Sequence, residues 1–202
     1  MFQFMKQPPS VLLPLVRTAF QGELLAWLYL HPEDEYPLVV LAQQFRVSPA
    51  SVTREVDRLS AAGLIKVRRV GNLRLVSADE ETIIARPLTE LLALTYGPIV
   101  VLPELLSGVP GVEEAYIYGS WAARYEGEPG RVPRDVDVLV VGEPGEDDLY
   151  LVARRAEQQL GREVNLRRMS RGTWESTDED PFLESLRSRP LVGLEIEGTG
   201  VA

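Results

Sequence analysis

Hydrophobic residues at Leu13, Val16, Phe20, Leu24, Trp27, Leu28 and Leu30 recur mostly every three or four positions, which predicts an amphipathic helix over Leu12 to Leu30. His31-Pro32 ends it. Pro37 opens a second, short helical run from Leu38 to Phe45, and a tight turn at Arg46 to Ser48 follows. Ser48 suits a helix N-cap and Pro49 the first helical position; Val52, Val56, Leu59 and Leu64 then supply an inward face, and Gly63 a stop. Beyond that point the period changes to two. Leu64 to Arg69 and Leu73 to Ala78 are β-prone runs joined by the turn dipeptide Gly71-Asn72, and predict a hairpin.

From Ile83 to Leu106 the pattern is helical and apolar, broken into short pieces by Pro87, Pro98 and Pro103. Ala115 to Tyr118 is β-prone and stops at Gly119-Ser120, before a helical turn or two in WAARYEG and a loop rich in Gly, Pro and Arg. Asp135 to Val141 reads as an apolar strand. Glu146 to Leu160 reads as a helix with Leu149, Val152, Ala153, Ala156 and Leu160 inward and Gly161 as its stop. A strand over Arg162 to Ser170, a short helix over Pro181 to Ser188 and a strand over Leu191 to Ile196 complete an α+β chain. The division expected is a first domain over 1–82, a helical connector over 83–108 and a second domain with a mixed sheet over 109–202.

The chain has 202 residues, 45% of them hydrophobic and 25% charged, with no Cys, which excludes a disulfide scaffold and a disordered tail. Glu23, Glu33, Asp34 and Glu35 interrupt the most apolar stretch near the N-terminus, so neither a membrane span nor an export signal is expected, and the cytoplasm is. Residues 1–100 hold 10 Lys+Arg against 10 Asp+Glu, whereas residues 101–202 hold 11 against 20, so the whole net charge of −9 belongs to the second half. Inside the neutral half, Arg46, Arg54, Arg58, Lys66, Arg68, Arg69 and Arg74 face only Glu55 and Asp57 between residues 46 and 74, a local +5.

Two short helices around a tight turn, followed by a hairpin bearing arginines, make a winged helix-turn-helix. The segment SPASVTREVDRLSAAGLIKVRRVGNLRLV resembles winged-helix regulators of the MarR and ArsR type. That resemblance implies double-stranded DNA as partner, with Ser48 to Ala62 in the major groove and the wing on backbone or minor groove. Ser51, Thr53, Arg54 and Arg58 are then available to the groove, Arg54 as a bidentate guanine contact, and Arg68, Arg69 and Arg74 to phosphates. It also implies a homodimer, for which the first helix and the connector are candidates.

In the second half, period-two geometry puts Asp135 and Asp137 on one strand face. Two carboxylates so placed suit Mg²⁺, a hard cation for hard oxygen ligands, bridging to nucleotide phosphates. Gly119 allows close approach of the backbone to phosphate, and Ser120 offers a hydroxyl and an amide at a helix start. YGSWAARYEG and RDVDVLVVG together resemble the DNA polymerase beta-like nucleotidyltransferase superfamily, especially its minimal branch. The fourteen residues between Ser120 and Asp135 exceed the usual pattern, which places an insertion in Gly127 to Pro133.

In active members a third carboxylate stands on the next strand; here the matching position is Asn165, with Glu163 two residues earlier on the same face. Glu163 is either a substitute or an ordinary charge beside Arg162 or Arg167. Binding of a nucleoside triphosphate with Mg²⁺ is therefore expected ahead of transfer, and whether the protein is an enzyme stays open, with transfer of a nucleoside monophosphate to a protein or small molecule, in an antitoxin-like role, as the alternative. Arg167, Arg168 and Arg171 are either triphosphate contacts or partners of Asp178 to Asp180. His31, without Cys or a second His, builds no zinc site. Trp27, Trp121 and Trp174 are expected in cores or interfaces, with a base pocket as a second option for Trp121.

Overall fold

The computed structural model describes residues 16–176 and 181–196. The beginning of the first expected helix, through Leu15, and the acids Asp178 to Asp180 lie outside the described residues. The chain divides into two compact units, Met1–Gly97 and Pro98–Ala202.

The first unit runs α1 (Ala19–Leu30), β1 (Tyr36–Pro37), α2 (Leu38–Gln44), α3 (Pro49–Ala61), β2 (Ile65–Val70), β3 (Leu73–Ala78) and α4 (Ala85–Tyr96). Thr18 caps α1 by accepting from the Gln21 amide at 3.1 Å. α1 is buried on more than the single face that an amphipathic helix would turn inward. Both α4 and β3 pack on it, and Leu24, Leu25, Ala26, Leu28, Tyr29 and Leu30 are all buried, so it is the central helix of the unit. A Cβ at Gly22 would fall on the Tyr96 hydroxyl, so only glycine lets α4 approach this closely. Tyr29 ties α1 to the start of the hairpin by donating its hydroxyl to the Leu64 carbonyl at 2.6 Å.

The helix-turn-helix is closed at both helix ends. After α2, Arg46 takes a left-handed φ of 53°, with its amide on Gln43 O and the Val47 amide on Ala42 O. After α3, Gly63 (φ 71°) repeats the arrangement, its amide on Ser60 O and the Leu64 amide on Leu59 O. At the start of α3, Ser48 accepts from the Ser51 amide at 3.1 Å and Pro49 occupies the first turn, as the sequence predicts. The hairpin register pairs Val70 with Leu73 across Gly71-Asn72; only Gly71 has a positive φ (57°), the II′ turn pattern that matches strand twist. β1, which has no sequence signature, adds a third strand through Tyr36 opposite Val76, in the order β1-β3-β2.

The second unit runs α5 (Pro98–Leu106), β4 (Val112–Tyr118), α6 (Gly119–Tyr125), β5 (Asp135–Gly142), α7 (Glu146–Leu160), β6 (Glu163–Met169), α8 (Arg171–Glu175), α9 (Pro181–Arg187) and β7 (Val192–Gly193). Its sheet has the order β6-β5-β4-β7, with β4 antiparallel to both neighbours and β5 parallel to β6 through the crossover helix α7. Glu146, Asp147 and Asp148 in the first turn of α7 complement its dipole, and Gly161 (φ 64°) ends it. Alternation sends Val136, Val138 and Val140 to one buried face. Leu139 and Val141 go to the other, where Met169 and the α9 residues Leu183 and Leu186 complete a core. Asp135 and Asp137 stand on that second face, at the strand's N-terminal end.

The connector expected over 83–108 is not a separate element. Its first part, α4, buries Leu92 and Thr95 within the first unit, and its second part, α5, buries Val101, Leu102 and Leu106 within the second, so the boundary falls at Gly97. Pro87 and Pro98 lie in first turns, where a proline costs no hydrogen bond, and so interrupt the helices less than the pattern suggests. By length and composition alone the 22-residue stretch Ala85–Leu106 is apolar enough to cross a membrane, although it comprises two helices that belong to different units.

Candidate functional site

Two sets of side chains qualify, one in each unit. In the first unit, the outward side of α3 presents Arg54, Asp57 and Arg58, all exposed, while Val52, Glu55, Val56 and Leu59 turn inward. Arg58 is ion-paired with Glu55, a carboxylate only 6% exposed, and so neutralises a buried charge. The Ser51 hydroxyl lies 2.9 Å from that of Ser48, and Thr53 donates to the Pro49 carbonyl at 2.9 Å. Arg54 has a Ser51 contact at 3.4 Å and no carboxylate partner among the described residues.

The hairpin separates its three arginines by alternation. Arg69 and Arg74 are cross-strand partners on the face that also carries Ile65, Val76 and Ala78, which are buried. Arg74 donates to Asp57 of α3 and thereby joins this face of the wing to the outward side of the helix. Arg69 has no ion pair among the described residues. Arg68 sits on the opposite face of the hairpin, where it pairs with Glu35 through two hydrogen bonds that hold the Glu35 carboxyl below the usual carboxylate range. Lys66 pairs with Asp79 at 3.2 Å and Glu81 at 2.9 Å. Within the basic island read from residues 46–74, Arg58 and Arg74 are thus paired with its own acids, Glu55 and Asp57, and Lys66 and Arg68 with acids from outside it; among the described residues, Arg54 and Arg69 are the cations left without a carboxylate among those proposed to touch DNA.

In the second unit, the parallel register sets Asp135 opposite Glu163 and Asp137 opposite Asn165, and β4 adds Tyr118 on the other side of Asp137. Asn165 donates from Nδ2 to Asp137 Oδ1 at 3.2 Å. The other oxygen, Oδ2, faces Gly119, whose φ of 71° opens α6; a Cβ there would stand 3.0 Å from it. Burial raises the Asp137 pKa, the Asn165 hydrogen bond opposes that, and the Asp135 charge adds to it. Ser120 is exposed at the start of α6. Arg124 of the same helix holds the following glycine-rich loop through the Glu128 and Arg131 carbonyls.

Among the described residues no group of three or more His, Cys, Asp or Glu could hold a metal, so Glu163 does not join the aspartates in a three-carboxylate centre. Asp135 and Asp137 remain as two carboxylates on one strand face, and Mg²⁺ is commonly held by one or two carboxylates and completed by substrate phosphates and water. Trp121, offered as a base-pocket residue, is 2% exposed and stacked near Tyr125, hence a core residue. Trp174 packs beside Tyr116 with ring centroids 5.2 Å apart, and Trp27 beside His31, Tyr36 and Phe45. Tyr118, Phe182 and the Asp57–Arg74 pair escaped the sequence pattern because they meet through tertiary contact alone.

No protein-family model matches the chain, and no curated protein does. Among solved structures it is similar to ZitR of Lactococcus lactis, at 26% identity over 45% of this chain and 60% of that one, with a TM-score of 0.35. It is similar also to the transcriptional regulator BldR from Sulfolobus solfataricus, at 24% identity over 50% of this chain and 70% of that one, with a TM-score of 0.37. A third, the heme sensor protein PefR from Streptococcus agalactiae, is 16% identical over 44% of this chain and 59% of that one, with a TM-score of 0.32. The chain spans about 60% of the length of ZitR.

Proposed function

We propose that the protein is a DNA-binding transcriptional regulator of the cytoplasm whose second unit binds a nucleoside triphosphate with Mg²⁺. The observation that carries the DNA part is the Asp57–Arg74 contact. It brings the arginine-bearing face of the wing beside the outward side of α3, so that Arg54 and Arg69, neither held by a carboxylate, lie where a duplex would meet both elements. Arg54 is the base-reading candidate and Arg69 the phosphate contact. Binding measured by fluorescence anisotropy tests this: affinity should fall steeply with salt, and Arg54→Ala should remove preference among sequences. An affinity indifferent to salt would contradict it.

The exposed apolar residues Leu91 and Leu94 of α4, with Ile84 just before it, support a homodimer, since a regulator of this kind reads two half-sites. Leu91→Glu with Leu94→Glu should convert a dimer to a monomer in sedimentation; an unchanged mass would remove α4 from that role.

For the second unit the supporting observation is the placement of Asp135 and Asp137 on one strand face, with Gly119 against the free oxygen of Asp137. Mg²⁺ on this pair would bridge phosphate oxygens and neutralise their charge. Calorimetric titration of the four nucleoside triphosphates with Mg²⁺ should give binding that Asp135→Ala with Asp137→Ala abolishes. The second reading, transfer of a nucleoside monophosphate to an acceptor, would need Glu163, which stands opposite Asp135 in register but outside any three-carboxylate centre among the described residues. Labelled-nucleotide transfer lost in Glu163→Gln would support it, and Asn165 in the third acidic position weighs against it.

A further inference from the structure

The sheet face that carries Asp135 and Asp137 also carries three arginines within or beside it, and their partners differ. Arg171 is taken by Glu113, Glu114 and Glu175, each within 3.1 Å. Arg187 donates to the Trp174 and Ser176 carbonyls at 2.7 and 3.0 Å. Arg167, on the same β6 face as Glu163 and Asn165, has no carboxylate or carbonyl partner among the described residues; its guanidinium lies over the Phe182 ring, 3.5 Å from the centroid. Arg168, which turns to the other face, is near Glu143 and Glu146 and donates to the Pro144 carbonyl.

Stacking on a ring fixes the plane of a guanidinium while leaving the donors along its edge free. Phe182 in turn packs edge-on against Tyr118, the residue next to Asp137 in the sheet, with centroids 6.2 Å apart. Burial raises the Tyr118 pKa, the Asp137 charge adds to this and the Arg167 charge opposes it, so both charges lie near its hydroxyl. A magnesium nucleotide retains negative charge on its phosphates, and two aspartates alone would repel what the metal does not neutralise. A cation on the same face, held rigid and otherwise unengaged, answers that difficulty.

We propose that Arg167, held flat on Phe182, binds the phosphate chain of a nucleotide whose metal sits on Asp135 and Asp137. This rests on the reading of the second unit as a Mg²⁺-nucleotide site. The ligand chemistry is the polyphosphate, so the base is not read by this contact, and Phe182 acts as a positioning residue.

The test is calorimetric titration of the full chain with Mg-ATP and with magnesium tripolyphosphate, alongside Mn²⁺ alone. Arg167→Gln should lower affinity for both phosphate ligands about tenfold to a hundredfold, the scale of a charge-assisted contact, and leave Mn²⁺ binding unchanged or slightly tighter. Arg167→Lys should recover part of the loss, and Phe182→Leu should lose less than Arg167→Gln. A merely structural arginine would lower metal and phosphate binding together. Unchanged affinity in Arg167→Gln, with binding still lost in Asp135→Asn plus Asp137→Asn, would overturn the assignment of Arg167 and leave the nucleotide site standing. Loss confined to Mg-ATP would move Arg167 to the nucleoside and overturn it also. Absence of binding in the unaltered protein would overturn the nucleotide site itself and this assignment with it.

Discussion

Replacing Asp57 by alanine should tighten DNA binding. In the structure Asp57 stands on the outward side of α3 and engages Arg74 of the wing, with side chains 57% and 25% exposed respectively. An exposed pair of this kind contributes about 0 to 1 kcal/mol to stability, and alanine in a helix recovers about 0.5 kcal/mol, so the fold should be nearly unaffected. What changes is the charge presented to a duplex: one carboxylate leaves and one guanidinium becomes free for phosphate. Each phosphate neutralised adds about −0.9 to the slope of log K against log salt, which amounts to about an eightfold gain in affinity at 0.1 M salt and none on extrapolation to 1 M. Anisotropy titrations of both proteins against one duplex at several salt concentrations give the two slopes directly. An Asp57→Ala slope equal to that of the unaltered protein, or a weaker affinity at low salt, would refute the placement of Arg74 and the wing beside the duplex.

The opposite faces of the hairpin give a paired expectation: Arg69→Ala should make the salt slope shallower by about 1, whereas Arg68→Ala, on the Glu35 side, should leave it unchanged. Gly119→Ala would force a side chain into a left-handed φ of 71° and against Asp137 Oδ2. Its cost should be about 1–2 kcal/mol in chemical denaturation, with weaker Mg-nucleotide binding; full retention of both would contradict the close approach. The Asp137 pKa is raised on folding, so the native state keeps a proton that the unfolded chain releases, and stability falls as pH rises from the ordinary Asp value through the folded one. Asp137→Asn should therefore stabilise the protein at neutral pH and lose that advantage at about pH 3, where both states are protonated. A pH-independent difference between the two denaturation curves would show that burial of the charge is not the cause.

The elements themselves were largely legible because each rests on a local signal. α3 follows from Ser48-Pro49 and a stop at Gly63; α7 from Glu146 to Gly161; β5 from an unbroken apolar run after two aspartates. Where neighbours decide, the pattern misled or was silent. α1 was read as one-sided because its spacing fits a helix face, yet two elements cover it, and Leu25, Ala26 and Tyr29 are buried with the rest. β1 is two residues long and exists only as a partner of β3, and α8 has five residues capped by Ser170. The expected strand over Leu191 to Ile196 pairs only at Val192–Gly193, beyond which the Leu194 amide still donates to the Ala115 carbonyl at 2.9 Å. The same limit governs the sites. Sequence placed Asp135, Asp137, Gly119 and Arg54 on the right elements, but counting charge along the chain overstated the basic island, because Glu35 reaches Arg68 across 33 residues and Asp79 and Glu81 reach Lys66 from beyond it. Likewise, alternation alone puts Arg167 and Arg168 on opposite faces of β6, but only tertiary contact sets Arg167 on Phe182.

Selection of duplexes from a random-sequence pool by the full chain, followed by affinity measurement of the enriched site, tests sequence-specific DNA binding most directly. The pool should converge on a defined site, an inverted repeat if α4 makes the dimer, with half-sites about one helical turn apart, and the protein should prefer it over random duplex by a margin that Arg54→Ala removes. A pool that fails to converge, together with affinity that does not change with salt, would contradict a regulator that reads DNA through α3 and its wing.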